Sequence, residues 1–253
     1  RVRLQTADRL VPADLAGYAL VGGVFALSRL LAKPYRHLSG MFELTAHVLL
    51  VFVTMRLHFF SAEPLLANAG VAVLLLLLLN AIQLALAVRR GSQGWAALAL
   101  AFLSVTAVLS ADLHLMLALA TAVAALAVAG LFRFGWTRLL VYSLFLVYAL
   151  HLSWLLGNPM RGHALRLVSA PGGCYVYLFT VAALYSLVPL AGARRRLSDN
   201  LVLAAVLSNG LGFTLLHSLT AMTFFSAYFD SAEPSALRPS LRCEGRWKAL
   251  STT

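Results

Sequence analysis

The sequence is poor in charged residues, and acidic side chains are especially few. Charged residues make up 11% of the 253 residues, with nine acidic against 20 basic side chains, whereas water-soluble domains carry about 25%. The lysines, Lys33 and Lys248, both lie outside the long apolar segments, which excludes a retinal Schiff base on a buried lysine. Those segments also lack aspartate, which argues against diphosphate chemistry at bound metal ions.

Familiar catalytic patterns are missing as well. The chain has no Walker loop, no H-E-x-x-H and no G-x-S-x-G sequence, which are the signatures of phosphate-binding loops, zinc proteases and α/β hydrolases. A membrane metalloenzyme needs clustered carboxylate and histidine ligands, and an isolated glutamate among apolar residues does not supply them. We therefore predict no catalytic residues and no metal site, which argues against an enzyme.

Long hydrophobic runs are abundant instead. Leu65–Val88 contains no charged residue, includes six consecutive leucines and is followed by Arg89 and Arg90. A helix needs about 20 apolar residues to span a bilayer, and only helices or closed barrels satisfy the backbone there. No short alternating strands of a barrel occur, so we predict an all-α integral membrane protein.

Similar runs recur along the chain and predict a bundle of about eight transmembrane helices with short loops. The bundle occupies residues 1–229, and residues 230–253 form a polar tail outside the membrane. No signal-peptide pattern precedes the first run. The predicted spans are 15–31, 41–60, 65–88, 95–110, 113–132, 139–156, 174–191 and 201–229.

Basic residues between the runs predict the orientation of the bundle. The net charge of +11 is explained by cations at helix ends that meet anionic lipid headgroups, so we expect a lipid bilayer as partner and no nucleic acid. Under the positive-inside rule the basic loops face the cytoplasm of a bacterial inner membrane, and both termini lie on the other side. The cytoplasmic cations are Arg29, Lys33, Arg36, Arg89, Arg90, Arg133, Arg138, Arg194, Arg195 and Arg196.

The second span carries a polar stripe. Glu43, His47, Thr54 and His58 fall within about 60° of one helix face at 100° per residue. Ionisable residues inside a bilayer often mark an ion or substrate path, so the stripe is a candidate pathway of a transporter or channel. The alternative is that these side chains hold neighbouring helices together by hydrogen bonds.

Two histidines fall in other spans. His151 and His217 are predicted at a similar depth, and two such side chains from facing helices could ligate a b-type haem. The cofactor is otherwise unknown.

Remaining polar residues predict contacts between helices. Asn80 and Gln83 lie three residues apart in the third span, and Asn209 and Thr220 share a face of the eighth, as expected of interhelical hydrogen bonds.

Cys174 and Cys243 lie on the same predicted side of the membrane, so either a disulfide or two free thiols would fit.

One stretch resembles a known kind of protein. The sequence Arg89-Arg90-Gly91-Ser92-Gln93 before a hairpin, Trp136 before a span, and His151-Leu152-Ser153-Trp154 within it resemble large uncharacterised bacterial multi-pass proteins built from arrays of transmembrane hairpins. The resemblance covers Leu79–Leu156, under a third of the chain. It implies an architecture but no activity, and since those relatives are longer, the chain is expected to be a fragment or a shortened member.

These observations favour a non-catalytic structural or accessory subunit of a larger membrane complex, with other membrane subunits as partners. The two alternatives are the transporter or channel and the b-type haem protein.

Overall fold

The chain folds into helices joined by short connections. A computed structural model describes residues 2–60, 65–66, 68–110, 112–157, 174–190 and 198–232, and in these ranges it contains no β-strand. The helices are α1 (Val2–Leu31), α2 (Arg36–Arg56), α3 (Ala69–Arg90), α4 (Gln93–Leu109), α5 (Leu113–Phe134), α6 (Thr137–Leu155), α7 (Tyr175–Tyr185) and α8 (Asp199–Ala232).

Five of these helices are long and apolar enough to cross a membrane. They are α2, α3, α5, α6 and the Asn200–Thr223 part of α8. The apolar parts of α1, α4 and α7 are shorter. An all-helical bundle with several membrane-length helices agrees with the coarse prediction from composition.

Local sequence explains where the hairpins turn. The side chain of Asn68 accepts a hydrogen bond from the Gly70 N–H at 2.8 Å and so begins α3, and Asp112 does the same for α5. Gly91 and Gly135 end α3 and α5 in the left-handed conformation, with φ of 63° and 71°. Glycine adopts this conformation without the steric cost of a Cβ atom, so the chain reverses immediately into the next helix.

Neighbouring helices in the sequence make the most extensive contacts. α1 packs on α2, α3 on α4, and α5 on α6, while α4 and α7 also pack on α5 and α8 packs on α6 and α7. The core lies around α5, whose small side chains allow neighbouring helices to approach closely. Its fully buried residues include Leu117, Ala120, Val123, Ala124, Ala127 and Leu131.

Several helix ends differ from the predicted spans. α1 begins at Val2, well before residue 15, and α2 runs from Arg36 to Arg56 where the span was placed at 41–60. α7 ends at Tyr185, and a turn at 186–187 precedes a further helical turn over 188–190. Pro189 has no N–H to donate to the Tyr185 carbonyl, which explains this interruption. The predicted tail, 230–253, lies almost wholly outside the described residues.

The left-handed conformation of Gly91 at the end of α3 leads to a prediction about stability. Replacing Gly91 by alanine should cost about 1–2 kcal/mol, because a Cβ atom disfavours the positive φ, and the measurement is thermal unfolding of the detergent-purified chain. Gly94→Ala is the matched control, since its Cβ would meet only the Ser92 Oγ at 4.0 Å and alanine favours a helix. Equal effects of the two substitutions would contradict the role given to Gly91.

Candidate functional site

An ion pair and three aromatic rings join the first four helices at one end of the bundle. Arg90 donates to the Glu43 carboxylate at 2.6 Å, and its guanidinium lies 5.0 Å from the centre of the Trp95 ring. The His47 ring meets Trp95 and Phe25 edge-on at 4.8 and 4.9 Å. We call Phe25, Glu43, His47, Arg90 and Trp95 the end cluster. It connects α1, α2, α3 and α4 through one continuous set of contacts.

The outer members of the predicted polar stripe lie apart from the end cluster. Thr54 is buried near the end of α2, where its Oγ1 lies 3.3 Å from the Tyr18 hydroxyl of α1. His58 lies beyond Arg56, the last residue of α2, because the chain turns there. Its Nδ1 donates to the Leu66 carbonyl at 2.6 Å. His58 therefore does not continue the helical face that was predicted to carry it.

The four residues of the predicted polar stripe thus contact different parts of the structure. Glu43 pairs with α3, His47 packs between α1 and α4, Thr54 meets α1, and His58 binds the segment after α2. His47 also uses its Nδ1 to donate to the Glu43 carbonyl at 2.8 Å. Both the pathway and the alternative, in which these residues hold helices together, stay predictions.

A second polar centre joins α6, α7 and α8. The Tyr148 hydroxyl donates to the Asn209 Oδ1 at 2.5 Å, and the Asn209 Nδ2 donates to the Ala182 carbonyl at 3.1 Å. Nearby, the Tyr185 hydroxyl donates to the Ser143 Oγ at 3.0 Å. We call these five residues the three-helix junction. These three hydrogen bonds each cross from one helix to another, and the two that involve Asn209 tie α8 to α6 and α7.

Close approach of α8 to α6 depends on Gly212. A Cβ atom built at this position would lie 2.8 Å from the Tyr148 ring, closer than real Cβ atoms come to their neighbours. The absence of a side chain therefore makes room for the ring whose hydroxyl reaches Asn209.

A groove with an approximate volume of 330 Å³ runs between α6 and α8. On the α8 side, Ala204, Ser208 and Gly212 line it at intervals of four residues, so they share one helix face. The groove opens outward, because its lining residues Phe145 and Leu215 are 70% and 58% exposed. Small residues spaced in this way let helices pack closely in a membrane. The remaining lining residues are Val141, Leu144, Tyr148, Ala149, Leu152, Ala205 and Leu216.

The two histidines predicted as haem ligands have different surroundings. His151 is 1% exposed, its Nδ1 donates to the Val147 carbonyl at 2.9 Å, and its Nε2 has no partner among the described residues. His217 forms a hydrogen bond with Tyr175 through its Nδ1 and stacks on Phe213. The Nε2 atom of His151 carries the lone pair that a haem iron would bind. The described contacts of His217 are with Tyr175 and Phe179 of α7 and Phe213 of α8, and none is with His151. Bis-histidine haem ligation therefore stays a prediction.

The four residues predicted to form interhelical hydrogen bonds differ in their hydrogen-bond partners. Asn80 donates to the Thr106 Oγ1 of α4 at 3.0 Å, and Asn209 makes the contacts of the three-helix junction. Thr220 instead donates to the Leu216 carbonyl one turn earlier in α8, because a threonine hydroxyl can satisfy itself on its own helix. Gln83 is buried, and neither of its side-chain amide atoms has a partner among the described residues.

The remaining predicted sites concern cysteine and metal. Cys174 is buried immediately before α7 and forms no disulfide within the described residues. Cys243 lies outside those residues, so the disulfide between the two stays a prediction. Among the residues that the structure describes, no group of three or more histidine, cysteine or acidic side chains could hold a metal ion.

Sequence reasoning missed the groove and most of the residues that define the polar centres, because only Glu43, His47 and Asn209 were predicted as site or contact residues. Arg90 was read only as a cytoplasmic cation, and Tyr148 was not placed opposite Asn209. The small residues at 204, 208 and 212 were a detectable signal, since a four-residue spacing of Ala, Ser and Gly is typical of close helix packing. Their partner helix could not be identified without the fold.

The comparisons with known proteins return no relative: no protein-family model, no curated protein and no solved structure matches the chain. The resemblance of Leu79–Leu156 to arrays of transmembrane hairpins therefore stays a prediction.

The ion pair of the end cluster makes an energetic prediction. Glu43→Gln should lower the free energy of unfolding by less than about 1 kcal/mol, because partly exposed pairs are weak, and the Arg90 and Glu43 side chains are 35% and 18% exposed. A double-mutant cycle with Arg90→Gln isolates the pair from the stacking of Arg90 on Trp95. The coupling should shrink in high salt. A coupling of several kcal/mol that salt does not change would contradict this account.

Substitutions of two glycines in α8 test whether Gly212 allows the close packing of α8 on α6. Gly212→Ala should destabilise the chain by about 1–3 kcal/mol, because overpacking moves the Tyr148 ring. Gly210→Ala should be neutral or stabilising by up to about 1 kcal/mol, since a Cβ there meets nothing within 4 Å. Thermal unfolding in detergent measures both. The packing argument fails if Gly210→Ala destabilises as much as Gly212→Ala.

Proposed function

We propose that this protein is a membrane-embedded, non-catalytic subunit that receives a transmembrane helix of another protein in the groove between α6 and α8. The observation that carries the proposal is the groove itself, which is helix-lined, apolar and open outward. Its residues Ala204, Ser208 and Gly212 follow the spacing at which helices pack closely. The membrane location is supported by the five helices that are long and apolar enough to cross a bilayer.

The exposure of α8 supports a role in assembly. Only 17% of its membrane-length segment is buried, against 56% of the corresponding segment of α6. A helix surface that meets only lipid would carry large apolar side chains, yet the groove face of α8 also carries Ala204 and Ser208, which are both exposed. Small and hydroxyl residues on such a face favour contact with another helix, because they allow the two backbones to approach.

The proposed orientation of the bundle in the membrane is based on where its basic side chains lie. The end cluster brings the last turn of α3 together with residues near the start of α2 and of α4, so Arg36, Arg89 and Arg90 belong to one end of the bundle. We propose that this end faces the cytoplasm of a bacterial inner membrane, as basic loops do. The ion pair of Glu43 with Arg90 lies within this basic end.

Crosslinking in intact membranes tests the proposed subunit role. A photoreactive amino acid at Leu215, in the groove, should give a discrete protein adduct, whereas the same probe at Leu78 should react with lipid. Both side chains are 58% exposed, so exposure alone cannot explain a difference. Ala204→Leu, which narrows the groove, should abolish the Leu215 adduct, whereas Ala129→Leu, at another exposed alanine, should leave it.

Two results would overturn the proposal. One is an equal pattern of adducts at Leu215 and Leu78. The other is recovery of the chain that carries the probe at position 215 from mild detergent, after photoactivation, as a lone, monodisperse monomer.

A further inference from the structure

A second groove, with an approximate volume of 360 Å³, lies at the end of the bundle opposite the end cluster. It is lined by α4, by α6, and by Met55 and Phe60 at and just beyond the end of α2. We call it the α4–α6 groove. It opens outward, because its lining residues Phe60 and Val105 are 67% and 41% exposed. α6 packs on α4, whereas α2 packs on α1 and α3, which leaves a gap over α4 between α2 and α6.

The length of the α4–α6 groove corresponds to one leaflet of a bilayer. Its lining residues lie between 101 and 109 on α4 and between 146 and 153 on α6, which is the second half of each helix. At 1.5 Å per residue the α4 portion is about 12 Å long, and half of a bilayer's hydrocarbon core is about 15 Å thick. A transmembrane helix of another protein crosses both leaflets, whereas the acyl chain of a lipid occupies one.

The surface of the α4–α6 groove suits a hydrocarbon chain. Apart from Ser104 and Ser153, all of its lining side chains are apolar. The Ser104 hydroxyl donates to the Leu100 carbonyl of its own helix at 2.9 Å, and Ser153 is only 6% exposed. An occupant therefore needs no hydrogen-bonding group inside the groove, and it gains van der Waals contact along the apolar walls.

A cation lies beside the groove at the level of the lipid headgroups. α2 begins at Arg36 and ends at Arg56, and its 21 residues rise by about 30 Å, which is the thickness of a bilayer's hydrocarbon core. The two arginines therefore lie at opposite headgroup levels. Arg56 directly follows the groove residue Met55 and is exposed. A guanidinium group matches the geometry of phosphate oxygens and binds them by charge-assisted hydrogen bonds.

We infer that the α4–α6 groove holds one acyl chain of a phospholipid whose phosphate pairs with Arg56. The apolar lining receives the chain, the groove length matches one leaflet, and the positive charge of Arg56 complements the phosphate. The inference rests on the membrane location proposed above. It does not depend on helix binding in the groove between α6 and α8, so the crosslinks from Leu215 and the lipid experiment can fail separately.

Photolabelling with a lipid tests the inference. The full chain in mild detergent is titrated with phosphatidylglycerol that carries a photoreactive group on an acyl chain, and the labelled residues are mapped by mass spectrometry. Adducts at 101–109 and 146–153 should saturate. Arg56→Gln should weaken this binding about tenfold, because charge-assisted hydrogen bonds are lost. Arg36→Gln, at the other end of α2 and equally classed as exposed, should leave it unchanged.

Two valines test the position of the acyl chain. Val105→Trp fills the groove and should abolish the adducts there. Val71→Trp, on α3, should leave them, because Val71 does not line the groove. The two valines are 41% and 43% exposed, so exposure alone cannot explain a difference.

Three results would overturn the inference. They are a wild-type groove without saturable lipid adducts, equal effects of the two substitutions in either pair, and a protein adduct from a photoreactive amino acid at Val105 in intact membranes. The arginine pair decides the matter even if Val105→Trp does not fold.

Discussion

The hydrogen bond between Tyr148 and Asn209 is the contact on which the outer half of the structure depends. α8 is mostly exposed, and this bond together with the Asn209 contact to the Ala182 carbonyl holds it on α6 and α7. Among apolar surroundings an amide has few alternative partners, so a bond of this kind selects one arrangement of the helices. Gly212 lets the Tyr148 ring approach α8 closely and so helps to set the width of the groove.

The two polar centres stabilise the bundle by different physics. The end cluster contains full charges at a partly exposed helix end, where solvent and salt weaken the attraction between Glu43 and Arg90. The three-helix junction uses neutral groups that are mostly buried, including Tyr185 and Ser143. Neutral hydrogen bonds avoid the desolvation cost of ions. The bundle is thus joined by charge at one end and by hydroxyl and amide groups where α6, α7 and α8 meet.

Composition and hydrophobic runs were enough to predict helices and their approximate places, because a run such as Leu65–Val88 is incompatible with most other structures. Helix ends were less predictable, since α2 ends at Arg56 with Leu57 after it and no glycine to mark the end. Asn80 and Asn209 were recognised as contact residues from polarity alone. Their partners, Thr106 and Tyr148, depend on which helices become neighbours, and spacing within one helix does not contain that information.

The hairpin pairing of α1 with α2, α3 with α4 and α5 with α6 also has a consequence for biogenesis. Each of these helices finds its main partner in the segment made directly before or after it, so the contacts are local and form quickly. Three hairpins can therefore pair while synthesis continues. α7 packs on α5 and α8 packs on α6, in each case across an intervening helix, and the groove is completed only when α8 emerges. A ribosome that stalls before residue 199 would leave a paired but unfinished bundle, with the outer face of α6 uncovered.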